Sequence, residues 1–120
     1  IAAHGKLPQA VTLSTLSEKI SRTLLRKPML VGDPDKSIQK IAWCTGAAQS
    51  YFEAAIQQGI DAFITGEISE QTVHIARESG VAFIAAGHHA TERYGVQALG
   101  DHIAQQFNIQ HQFIDIENPV

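Results

Sequence analysis

Cysteine is almost absent from this 120-residue chain. The single thiol, Cys44, can form neither an internal disulfide nor a thiolate zinc site, so a reducing, cytoplasmic compartment is expected. Positive charge is scarce too: nine Lys and Arg against twelve Asp and Glu leave a formal charge of -3. Phosphate backbones and acidic membranes are bound by concentrated cations, so neither is an expected partner. No apolar run approaches the about 18 residues that a membrane-spanning helix needs, and residues 1–7 are too short and too polar for a signal peptide. Charged residues make up only 18%, which hints at surface covered by a partner, while 44% apolar content predicts folding rather than disorder.

The opening also lacks a capping or strand signal. Gly5 and Pro8 interrupt any regular element, so residues 1–11 read as a connecting segment. With Ile rather than Met first, the chain is expected to be part of a larger two-part protein, with 12–120 forming a single α/β domain. From Thr12 the pattern becomes helical. Leu13, Leu16, Ile20 and Leu24 line one face, Thr12 caps the start and Pro28 ends the helix. Met29-Leu30-Val31 is a short strand, closed by a turn at Gly32-Asp33-Pro34.

Three apolar runs then end in the same way: Ile41–Thr45 at Gly46, Ala62–Thr65 at Gly66 and Val81–Ala86 at Gly87. Short unbroken runs suit strands covered on both faces, and their spacing is that of strand–helix units in a parallel sheet. Helices are expected over 47–58 and 70–79, and a longer one from His89 to Phe107, where Val96, Leu99, Ile103 and Phe107 share a face. Residues 109–116 alternate imperfectly and read as a last strand near a sheet edge. The expected architecture is a three-layer α/β sandwich, a mostly parallel sheet with helices on both faces. Ligands in such folds sit beyond the carboxyl ends of the strands, which places the chemistry at the three glycines.

His88 and Glu92 stand four apart at the start of the last helix and share a face. An imidazole nitrogen and a carboxylate there make two ligands for zinc, iron or manganese. The alternative is a hydrogen-bonded histidine and a carboxylate favoured by the first helical turn. His89 reads as facing substrate or supporting a ligand, and Thr91 as orienting a ligand or capping the helix. Glu67, at the end of a strand, is a general base, a partner for a histidine ligand or an ordinary acidic helix start. The small residues from Gly46 to Ser50 leave amides free to cradle an anion or simply pack tightly, and they match neither G-x-G-x-x-G nor a Walker loop. Arg93 would meet an anionic substrate or a neighbouring carboxylate. Cys44, inside an apolar strand without a His–Asn partner or second Cys, reads as packing.

Three blocks in order, Ile41–Ala48, Asp61–Glu67 and Ala86–Glu92, resemble the NIF3-like family, also called GTP cyclohydrolase 1 type 2 homologues. The last is similar to its Gly-His-x-x-Ser/Thr-Glu signature, and the wording is that of the short bacterial members. The resemblance is read in a later half only, extending over almost all 120 residues, with the family's first half outside it. It implies a NIF3-like fold and a centre of two divalent metal ions, with His88 and Glu92 as two of its protein ligands. The family's other ligands, a histidine pair and an aspartate, belong to that first half. Glu67 keeps a carboxylate where the family has Asp, without the histidine-rich stretch that follows. The resemblance further implies a homohexameric ring and a metal-dependent hydrolase of a nucleotide-like or other anionic small molecule. The alternative is a non-catalytic metal-binding assembly or metallochaperone protein.

Overall fold

Side chains of successive strand residues point to opposite faces, and this divides the core in two. The computed structural model describes residues 2–120, as β1 (Ala3–Thr12), α1 (Leu13–Leu24), β2 (Met29–Val31), β3 (Ser37–Trp43), α2 (Phe52–Ile56), β4 (Ala62–Thr65), α3 (Glu70–Ser79), β5 (Ala82–Ala85) and α4 (His88–Phe107). On one face Ala62, Ala82, Ile84 and Ile38 pack against Leu13 and Leu16 of α1. On the other Ala42, Phe63 and Phe83 meet Phe52 and Ala55 of α2 and Ala76 of α3. The three phenylalanine rings form its centre, with centroids 4.9 to 5.7 Å apart. The expected three-layer α/β sandwich is what forms.

The sheet is mixed, in the order β1-β3-β4-β5-β2. Its central strands β3, β4 and β5 run parallel, and β1 and β2 close the two edges antiparallel. The crossovers put α2 and α3 on the same face, while α1 covers the other. The carboxyl ends of β3, β4 and β5 therefore open on one edge. Backbone bonds continue past the strands there: Gly66 N donates to Gly46 O at 2.8 Å, and Gly87 N to Gly66 O at 2.9 Å.

Three local expectations are corrected. Of the expected connecting segment 1–11, residues 3–11 are instead part of a strand, β1, that pairs with β3. Pro8 is tolerated because the register breaks between Lys6 and Val11, leaving no ladder bond at that point for its missing N–H to supply. Residues 109–116 form no strand. The segment instead runs back along α4 without regular structure, tied to it by His111 to Asp101 and by Asp115 to His89 and Arg93. The helix expected over 47–58 is a 3-10 turn at Gln49–Tyr51 followed by the short α2.

Helix starts follow the sequence closely. Thr12 Oγ1 accepts from Thr15 N at 3.1 Å and Ser69 Oγ from Thr72 N at 3.4 Å. α4 is different: only Ala90 of its 20 residues is buried. The helix extends the molecule to 51 × 30 × 25 Å, and no described helix is long and apolar enough to cross a membrane.

Candidate functional site

The edge formed by Gly46, Gly66 and Gly87 holds His88 between two carboxylates. His88 Nδ1 lies 2.6 Å from Glu67 Oε1, and Nε2 lies 3.1 Å from Glu92 Oε2. Glu92 meets the ring because it is one helical turn further along α4. Glu67 meets it because β4 and β5 lie side by side, which brings residues 21 apart in sequence into contact.

Two glycines make the arrangement possible. A Cβ on Gly66 would stand 2.6 Å from His88 Cα and 2.7 Å from Gly46 O, so only glycine lets these backbones meet. Gly46 has φ +67, and a Cβ there would strike the Glu92 carboxylate and approach His88 Nε2 to 3.2 Å. Two buried or half-buried hydroxyls lock the loop. Thr65 Oγ1 donates to Gly46 O at 2.9 Å and accepts from Ala48 N at 3.2 Å. Thr91 Oγ1 accepts from Gly46 N at 3.0 Å, and can donate to Gly87 O at 2.9 Å. The amides of Gly46 and Ala48 are thus spent inside the protein, which accords with the packing alternative for this stretch rather than with an anion cradle. Thr65 escaped the sequence reading; its only signal was a polar residue closing an otherwise apolar buried strand.

The hydrogen bond that His88 donates to Glu67 raises its pKa above the ordinary histidine value, with a further contribution from the Glu92 charge; partial desolvation opposes both. The carboxylates sit on opposite ring nitrogens, so they do not converge with each other. Among the described residues no group of three or more His, Cys, Asp or Glu gathers around one point. His88 Nε2 and Glu92 form a two-donor set instead. Two donors bonded to one ion at about 2.1 Å lie roughly 3.0 to 3.4 Å apart in octahedral or tetrahedral geometry. Their 3.1 Å separation fits that range.

His89 turns away from this pair, its Nε2 3.2 Å from Asp115 Oδ1. Arg93 is similarly engaged: Nη1 donates to Asp115 Oδ2 at 2.9 Å and Nη2 to Leu24 O at 2.8 Å. Its charge is balanced within the chain rather than held ready for an anion. These contacts hold the final segment beside an open groove of 710 Å³, lined by His88, Glu92, Val96, Phe113, Ile114 and Ile116 among others. Cys44 is half-buried against the phenylalanine cluster, in keeping with a packing role.

A protein-family model described as Duf34/NIF3 (NGG1p interacting factor 3) matches residues 1–119. The chain belongs to the Duf34/NIF3 family. It is 55% identical over 119 residues to a GTP cyclohydrolase 1 type 2 homolog of Pseudomonas aeruginosa, covering 99% of this chain and 47% of that protein. A protein of the same description from Allochromatium vinosum is 52% identical over 115 residues, 96% of this chain and 45% of its own length. Among solved structures, that of protein ybgI, described as of unknown function, superposes with a TM-score of 0.94 at 47% identity, over 99% of this chain and 49% of that one. The resemblance is therefore not restricted to a later half, as the sequence blocks suggested: the NIF3 match begins at residue 1 and takes in β1. The chain spans about half the length of the curated relatives it matches.

Proposed function

We propose that the chain is a metal-binding member of the NIF3 family, with His88 Nε2 and Glu92 as two ligands of a centre of two divalent ions. The observation that carries this is the 3.1 Å approach of Nε2 and Oε2 in the lining of a groove. An imidazole nitrogen and a carboxylate oxygen suit zinc, iron or manganese. Two donors leave most of a coordination sphere open, so two ions require ligands beyond these described residues, for which the family resemblance supplies a histidine pair and an aspartate. When bound, such ions polarise an ester or amidine and lower the pKa of a coordinated water. The chain's part is to present Nε2 and Glu92 to the groove that Phe113, Ile114 and Ile116 also line.

The reaction class proposed is hydrolysis of a nucleotide-like or other anionic small molecule. With Arg93 neutralised by Asp115, attraction for the anion falls to the metal ions themselves. His89 lines the groove and would touch substrate there. A non-catalytic metal-binding assembly or metallochaperone role uses the same ligands. A reducing cytoplasm accords with the unpaired Cys44. The homohexameric ring implied by the resemblance would give the uncovered apolar side chains of α4 a partner.

Metal stoichiometry and turnover separate these readings. With the segment that carries those further ligands present, incubation with Zn²⁺ or Mn²⁺ followed by metal analysis is expected to show ions retained by the protein and lost in both His88→Ala and Glu92→Ala. Unchanged occupancy in the variants would remove the centre. Metal-dependent hydrolysis of nucleotide or phosphate-ester substrates, abolished in the same variants, would favour the enzyme. Metal uptake without turnover would favour the assembly role.

A further inference from the structure

His88 has two nitrogens and, when neutral, one proton to share between two carboxylates. The geometry decides which of them receives it. Glu67 Oε1 is 2.6 Å from Nδ1, whereas Glu92 Oε2 is 3.1 Å from Nε2. Glu67 is also the more sheltered partner, with 36% of its side chain exposed against 51% for Glu92. A short hydrogen bond to an ionised acceptor, less open to water, is the stronger of the two.

The backbone that carries Glu67 is fixed on both sides. Gly66 N donates to Gly46 O, Gly66 O accepts from Gly87 N, and Ile68 packs against the phenylalanine cluster. Ser69 then caps α3. The carboxylate is consequently held by two strand ends and a helix start, and it meets an imidazole whose own backbone presses against Gly66.

We infer that Glu67 is a positioning residue: it holds His88 in the tautomer with the proton on Nδ1, leaving the Nε2 lone pair directed to the side occupied by Glu92. This rests on the metal reading for its purpose but not for its geometry. The oxygen that accepts from Nδ1 is thereby committed to the ring, on the nitrogen opposite the one that faces Glu92. A carboxylate behind a ligating histidine fixes ring orientation and increases the donor strength of the other nitrogen. Free imidazole side chains favour the opposite tautomer, so the preference is a property of the site and can be read directly.

The test is nitrogen-15 NMR of the chain at alkaline pH, where the ring is neutral, paired with Zn²⁺ titration of the same variants with the segment carrying the further metal ligands present. The wild type is expected to show a protonated Nδ1 and a pyridine-like Nε2 at His88. Glu67→Gln, whose amide oxygen still accepts from Nδ1, should keep that tautomer. Glu67→Ala should lose it and bind Zn²⁺ about 10- to 100-fold more weakly. Thermal melts of both variants check that folding is retained. A wild-type His88 protonated on Nε2, or a Glu67→Ala variant with unchanged tautomer, would overturn the inference. Absence of Zn²⁺ uptake by the wild type would defeat the metal reading alone, since the tautomer remains measurable without metal.

Discussion

At the scale of the residue, His88 is the group on which the rest turns. Flanked by Glu67 and Glu92, its imidazolium is favoured, so its folded-state pKa lies above the ordinary value. The charged ring therefore stabilises the fold fully below pH about 6.5, and that contribution fades as pH rises through the elevated pKa. A proton NMR titration of the metal-free chain should place His88 above the ordinary histidine value, and Glu67→Gln should bring it down. A value at or below the ordinary one would contradict the two-carboxylate environment. Metal and proton compete for Nε2, so divalent-ion uptake should strengthen over the same rise in pH. The i, i+4 relation of His88 and Glu92 was legible in the sequence, because a helix alone brings those positions together. The Glu67 contact was legible only as one alternative among three, since it depends on the register of two parallel strands. The ties of Thr65 and Thr91 to Gly46 were hidden for the same reason, being contacts between segments that sequence spacing cannot align.

At the scale of the element, strands followed by glycine and helices opened by Thr12 and Ser69 were readable because their signals are local. β1 was misread because proline and glycine are breakers only where the ladder needs a donor or a side chain, and whether it does depends on the partner strand. The end of α1 shows a different tension. Leu25 adopts a left-handed conformation (φ 56) while its side chain is 85% exposed, so it carries backbone strain without packing in return. Glycine would relieve about 1 kcal/mol of strain. Part of that is offset by the greater freedom it gives the unfolded chain. Leu25→Gly should therefore raise stability by about 0.5 kcal/mol, measured by urea denaturation. A clear loss would mean that Leu25 makes contacts its exposure does not reveal.

At the scale of the whole molecule, α4 is the unbalanced part. Val96, Leu99, Ile103 and Phe107 are 57%, 58%, 38% and 70% exposed, although their spacing is that of a buried helical face. Apolar periodicity identifies a face that wants covering but says nothing of whether the cover lies within the same chain. A contiguous apolar stripe of this kind commonly marks an interaction surface. If copies of the chain associate through it, sedimentation should report a species larger than 13.0 kDa that dissociates in a Leu99→Glu, Phe107→Glu double variant. A wild type that sediments as a monomer at high concentration would leave the ring without support from this face.

The two outer strands also limit how such molecules can come together. An exposed strand edge is a template for adding a further chain through main-chain pairing, and both rims here are poor templates. β2 is three residues long, and β1 is interrupted around Pro8. Runaway, fibril-like stacking through the sheet is thereby discouraged. Any ordered assembly must instead be written in side chains, where a single substitution can tune or erase it.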